Sequence, residues 1–172
     1  MSGLGARAPV PARLVFTTPV HLVAFAGGAG LSPWAPGTMG TLAALPFWWA
    51  LAWLPWPTYA AIVLAGFGLG CWVCGRSAQL LGAPDYGGIV FDEVVGVGIT
   101  AFPLLHDFGA RQWPAGVAWA AAFVLFRIFD IAKPWPVRWL DRNVHGGIGI
   151  MLDDAAAGVM GGLVLGLARH LL

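Results

Sequence analysis

From Leu14 to Gly75 the chain contains no Asp, Glu, Lys or Arg, an apolar tract long enough for about three spans of roughly 20 residues each. Pro33, Pro36 and Gly37 interrupt its first half and Pro55-Trp56-Pro57 its second, because proline removes a backbone donor and restricts the residue before it. The pattern predicts one helix over Leu42–Leu54 and another over Thr58–Gly75. Three further apolar runs follow, Val94–Leu105, Trp113–Phe126 and Ala155–Ala168. Each falls short of the roughly 20 residues an upright span needs, so each must extend into its flanks, thin the bilayer or cross only in part. Leu14–Leu31 is expected as an interfacial or partly inserted helix. Residues 1–13, with no convincing signal-peptide cleavage site behind them, read as a mobile or surface-bound leader and 14–172 as one domain. The fold class that follows is all-α: a small polytopic helical membrane protein with about five short apolar helices plus an N-terminal interfacial helix, its polar motif loops converging on one face.

Three polar segments punctuate this pattern. The first, Leu31–Leu42, is LSPWAPGTMGTL; the second, Asp85–Glu93, is DYGGIVFDE; the third, Arg127–Asp154, holds eight of the seventeen Asp, Glu, Lys and Arg residues. Two apolar helices separate the first from the second, and two more, joined by a tip at His106–Arg111, separate the second from the third. If each helix crosses once, all three emerge on one side and can build one composite site. On that side lie Arg7, Arg13, Arg76, Arg127, Lys133, Arg138 and Arg142, against Arg111 and Arg169 on the other, which by the positive-inside bias is the cytoplasmic face.

Composition narrows the function classes. Of 172 residues, 59% are hydrophobic and 10% charged, against about 25% charged in an ordinary soluble domain, so water cannot be the main solvent. Cations and anions nearly cancel, leaving no basic field for nucleic acid. Cys71 and Cys74 have no further thiolate to complete a metal site and read as free buried thiols. Gly158, Gly162 and Gly166 recur every four residues, a stripe on which a neighbouring helix can approach closely.

The candidate chemistry lies in the acidic pairs. Asp92-Glu93 is expected to open one apolar helix and Asp153-Asp154 another, where each pair would suit a helix N-terminus as a cap. Two such pairs converging beside lipid would also repel unless a cation sat between them; hard oxygen donors suit Mg²⁺, and no thiol or multi-His set favours zinc. Arg127, Asp130 and Lys133 fall at i, i+3 and i+6 before Pro134, on part of one helix face, where they pair with each other or meet an anion. Gly37-Thr38-Met39-Gly40-Thr41, just ahead of a helix, would present backbone N–H groups and two hydroxyls to a phosphate, and His145 could hand a proton to a leaving alkoxide.

The blocks APGTMGTLAALP, IVFDEVVG and FRIFDIAKPWPVRWLDRNVHGGIGIMLDDAAAG resemble, in order and across residues 20–168, the signature blocks of the phosphatidylglycerophosphatase A family. The resemblance implies a Mg²⁺-dependent hydrolase of the bacterial inner membrane that removes the terminal phosphate of phosphatidylglycerophosphate. The family's motif residues map to Asp92, Glu93, Arg127, Asp130, Lys133, Arg138, Asp141, Arg142, Asp153 and Asp154. On this reading Asp92, Glu93, Asp153 and Asp154 hold Mg²⁺. Thr38, Gly40, Thr41, Arg127, Lys133, Arg138 and Arg142 hold the phosphate, and Asp130, Asp141 and His145 are the catalytic candidates. The partners are the lipid substrate and the membrane. No DxDxT, Cys-x5-Arg, PSGH or DG-x2-AR motif is present, so the covalent phosphatase routes and head-group transfer lack their residues. A small transporter or channel subunit with an ionisable pathway is the alternative.

Overall fold

The computed structural model describes residues 10–84, 86–105 and 113–171. Arg7, Asp85, His106 and Arg111 lie outside the described residues, as does most of the expected leader. The described chain includes the end of that leader, where the Val10 N–H donates to the Tyr86 hydroxyl at 3.1 Å. The segment expected as one interfacial helix is divided into α1 (Ala12–Thr17), α2 (Pro19–Ala24) and a 3-10 turn over Ala26–Leu31. Pro19 cannot continue α1, and Gly27 and Gly28 take positive φ (69° and 105°), which ends α2. Val15, Ala24 and Phe25 are fully buried, so one side of this segment packs into the core, while Leu14, Phe16 and Leu22 stay exposed.

Five longer helices follow, with one short connector among them. They are α3 (Pro36–Leu51), α4 (Trp56–Leu81), α5 (Phe91–Thr100), α6 (Ala115–Ala132), the connector α7 (Val137–Asn143) and α8 (Gly146–Leu171). No strand occurs among the described residues. Helix α3 begins six residues ahead of expectation because Pro36 occupies its first turn, where the missing N–H costs nothing. Helix α4 extends past Gly75 through Arg76 to Leu81, and Gly82 closes it in the left-handed conformation. Among the described residues α4, α6 and α8 are long and apolar enough to cross a membrane.

The five longer helices alternate in direction along the sequence. Gly75 abuts Gly147 and Gly70 abuts Met151, so α4 and α8 run antiparallel; Gly96 faces Asp154 and Gly158, so α5 and α8 run parallel. The shortest of the five longer helices is the central one: α5 packs on α3, α4, α6 and α8. Ten residues span about 15 Å, half a hydrocarbon layer, which is tolerable because protein and not lipid surrounds them. Room is made by glycine. Trp48 lies over Gly98 and donates its indole N–H to Val94 O at 2.7 Å, and Phe126 lies over Gly96. The stripe Gly158, Gly162 and Gly166 faces Gly96, Ile99 and Pro103, the close packing its spacing predicts. Outward, Leu64, Trp72, Leu163 and Leu167 are each at least 60% exposed, a surface suited to acyl chains.

Candidate active site

The entry to α5 sets one wall of the site. The Val90 N–H donates to Ala24 O at 2.9 Å, which fixes the chain just before Asp92 and Glu93 enter the first turn. Carboxylates there are favoured by the helix dipole. The opposite wall is α8, whose backbone at Asp154 touches α5 at Gly96. The close approach brings one carboxylate oxygen from each of Asp92, Glu93 and Asp154 within 4.8 Å of one another. Asp92 Oδ1, Glu93 Oε2, Asp153 Oδ1 and Asp154 Oδ2 are buried and have no hydrogen-bond partner. Helix α5 lies outside the three long candidate spans, and its acids show the strain of this crowding. Burial, then the Asp154 charge, pushes Glu93 up to about 8. Burial, then the Glu93 charge, raises Asp92 well above the usual carboxylate range. An oxygen-rich, orphaned, mutually repelling trio fits a hard divalent cation.

Cations ring the trio without entering it. Arg127 Nη1, near the end of α6, lies 2.6 Å from Asp130 Oδ2 and 3.7 Å from Glu93 Oε1. Lys133 follows α6 in the left-handed conformation (φ 43°), and Pro134 prevents the helix from continuing. That bend aims its ammonium at two acids, Asp141 Oδ1 at 2.5 Å and Asp153 Oδ2 at 2.8 Å. Burial alone would lower the Lys133 pKa, but the two carboxylate bonds outweigh it and hold the side chain protonated. A cavity of about 340 Å³ opens between these groups; Asp92, Glu93, Asp130, Lys133, Asp153 and Asp154 line it, with Asp141 and His145 also on its wall and exposed.

Several expected placements differ. Asp153 and Asp154 do not open a helix: α8 starts at Gly146, so they sit two turns in, at 7% and 5% exposure, and their carboxylates cannot be N-caps. The GGIGI run looks like a loop but is helical, because Gly147 meets the Cys71 carbonyl and lets α4 close on α8. Asp153 turns to Lys133 and is not part of the close trio. Thr38, Gly40 and Thr41 lie within the opening turns of α3 and not ahead of it. The buried Thr41 hydroxyl donates to Gly37 O at 2.9 Å, and Gly40 packs on Val90. Neither they nor Thr38 line the cavity, nor do Arg127, Arg138 and Arg142. Arg138 and Arg142 sit exposed on α7.

Two roles escape sequence reasoning, that of Gly37 toward Glu93, in place of the phosphate-facing turn expected for it, and that of Tyr86. Gly37 carries no side chain to recommend it, yet a Cβ there would overlap Glu93 Oε1 and lie 3.2 Å from Arg127 Nη1. Tyr86 lines the cavity while tying down Val10. Its signal is scarcity: the chain has two tyrosines, and the other, Tyr59, is buried with its hydroxyl on Gly98 O at 2.8 Å.

Comparison with known proteins identifies relatives across most of the chain, one of them a putative phosphatidylinositol-3-phosphatase of Bacteroides thetaiotaomicron, 43% identical over 148 residues that cover 83% of this chain and 88% of the relative. A sequence profile for phosphatidylglycerophosphatase A matches residues 22–169. The chain is similar to a phosphatidylglycerophosphatase A of Escherichia coli (strain K12), 48% identical over 159 residues that cover 92% of this chain and 88% of the relative. It is similar also to a phosphatidylglycerophosphatase A of Haemophilus influenzae, 38% identical over 155 residues covering 89% and 90%. No solved structure matches.

Proposed function

The chain belongs to the phosphatidylglycerophosphatase A family, and from that premise we propose how its cavity removes the terminal phosphate of phosphatidylglycerophosphate. The enzyme is a phosphoric monoester hydrolase acting on a phospholipid. The observation that carries the site assignment is the convergence of one carboxylate oxygen from each of Asp92, Glu93 and Asp154 within 4.8 Å on the wall of one cavity.

Asp92, Glu93 and Asp154 would hold the divalent ion, and Mg²⁺ is the cation whose hardness suits an all-carboxylate set. When bound, it supplies Lewis acidity toward the phosphoryl group. Lys133, on the cavity wall, would meet the charge that grows on the phosphoryl oxygens, held beforehand by its bonds to Asp141 and Asp153, while Arg127, off the cavity wall, would position Asp130 and Glu93. Asp130 lines the cavity while bonded to Arg127, which places it to orient the attacking water; Asp141 fixes Lys133 from the rim. His145, exposed on the cavity wall, can return a proton to the leaving alkoxide of the glycerol. The apolar helix faces accommodate the acyl chains while the head group enters the cavity.

Arg76, Arg127, Lys133, Arg138 and Arg142 all lie at the carboxylate end of the bundle, which supports a cytoplasmic-face active site in a bacterial inner membrane. Ionisable groups gathered at one end do not form a path through the bundle, and the relatives give the transporter alternative no support. The test is phosphate release from phosphatidylglycerophosphate by purified protein, with Mg²⁺ and with EDTA. Release that stops in EDTA and falls at least about 10²-fold in Asp92→Asn and Asp154→Asn is expected; undiminished release in both variants would remove the carboxylate trio from the mechanism.

A further inference from the structure

Helix α7 has two unlike sides. On one, Val137 is fully buried and Asp141 reaches Lys133, so this side closes the cavity. On the other, Arg138, Trp139 and Arg142 stand at i, i+1 and i+4 on adjoining positions of α7, and Trp135 stands in the turn that leads into the helix. All four are exposed, Trp135 at 80% and Trp139 at 54%. Neither guanidinium pairs with a carboxylate among the described residues; the hydrogen bond of Arg138 goes to the Ala132 carbonyl at 3.3 Å. Two bare indoles alternating with two uncompensated cations, next to the mouth of a lipid-phosphatase cavity, match the chemistry of a membrane surface. Indole rings settle at head-group level, and guanidinium forks match phosphate oxygens.

We propose that this patch is a docking surface for the head-group phosphates of anionic phospholipids. It holds α7 flat in the membrane–water interface and delivers substrate lipid to the adjacent cavity. The inference rests on the phospholipid-phosphatase reading above and deepens it. Arg138 and Arg142 then act on lipid capture at the surface, and the charge complementarity is between two guanidinium groups that pair with no carboxylate among the described residues and anionic head groups.

The test compares two substrates with the full-length protein in neutral detergent micelles: phosphatidylglycerophosphate and its water-soluble deacylated head group. Trp135→Ser/Trp139→Ser is expected to raise KM for the lipid about tenfold, at nearly constant kcat, and to leave hydrolysis of the deacylated head group unchanged. In Arg138→Gln/Arg142→Gln the loss on the lipid should exceed the loss on the head group by about tenfold. Equal losses on both substrates in the arginine pair would place these residues at the reacting phosphate and overturn the proposal, as would unchanged KM for the lipid in both pairs. A changed oligomeric state at unchanged KM would make the patch a protein–protein face and overturn it too. A readout independent of turnover is quenching of tryptophan emission by brominated phosphatidylserine in otherwise neutral nanodiscs. Trp135→Phe/Trp139→Phe should lose the part of the quenching that depends on the anionic lipid, the other eight tryptophans keeping theirs in neutral brominated lipid, and a quenching profile identical to the parent would contradict the docking surface. Should the protein hydrolyse neither substrate while the quenching difference persists, the hydrolytic reading falls and the surface stands.

Discussion

Gly37→Ala isolates the geometry of the site from the stability of the fold. Gly37 lies in the first turn of α3, where alanine favours the helix by up to about 1 kcal/mol over glycine. The added methyl would overlap Glu93 Oε1 and stand 3.2 Å from Arg127 Nη1. Both atoms are the ends of flexible side chains, so the backbone need not yield; the Glu93 carboxylate must instead swing away by about 1 Å or more. A displacement of that size in a reacting constellation costs on the order of 10²-fold in rate. It would also carry Glu93 out of the cluster it forms with Asp92 and Asp154 and loosen the 3.7 Å pair with Arg127. The expected result is a protein with parental thermal stability and helix content by circular dichroism, whose kcat/KM on phosphatidylglycerophosphate falls about 10²-fold. Parental activity in a folded Gly37→Ala variant would refute the reasoning, because the position of Glu93 would then be irrelevant to turnover. Gly40→Ala is the control: its Cβ meets Val90 at 2.7 Å, away from the carboxylates, so instability and not a selective rate loss is expected.

Other consequences can be measured directly. Mg²⁺ at about a hundred times its dissociation constant should stabilise the protein by about 2.7 kcal/mol, read as a rise in unfolding temperature that EDTA reverses and Asp154→Asn abolishes. Lys133→Gln strips the shared cation from Asp141 and Asp153; with Lys133 29% exposed, solvent limits the cost to about 1–2 kcal/mol in denaturation, accompanied by loss of activity. Gly147→Ala would drive a methyl into the Cys71 carbonyl and separate α4 from α8, so poor folding yield is expected, whereas Gly68→Ala meets nothing within 4 Å and should behave as the parent.

Much of the site could be read from the chain because carboxylates are costly beside lipid: in a sequence with 10% charge, Asp92, Glu93, Asp130, Asp153 and Asp154 had few reasons to exist other than chemistry or pairing. The convergence of the segments around residues 37, 92 and 127–154 followed from crossing parity, and the alternating helix directions realise it. Glycine was the main source of error. In GGIGI it serves close helix approach and not a turn, so the start of α8 moved seven residues upstream of Asp153 and removed the capping explanation for that pair. Nor could periodicity reveal that the ten-residue α5 would be the central helix, since that depends on Trp48 and Phe126 closing over Gly98 and Gly96 from distant parts of the chain. Whether Asp153 turned to a cation or to the other acids depended on the left-handed bend at Lys133, a backbone choice unusual for a residue with a Cβ.

The central claim, that Asp92, Glu93 and Asp154 form a divalent-cation site, is tested most directly by anomalous scattering from crystals grown with Mn²⁺ in place of Mg²⁺. The account predicts a peak within about 2.2 Å of an oxygen from each of the three residues, lost in Asp154→Asn. A peak ligated elsewhere, or none at a concentration that supports turnover, would contradict it.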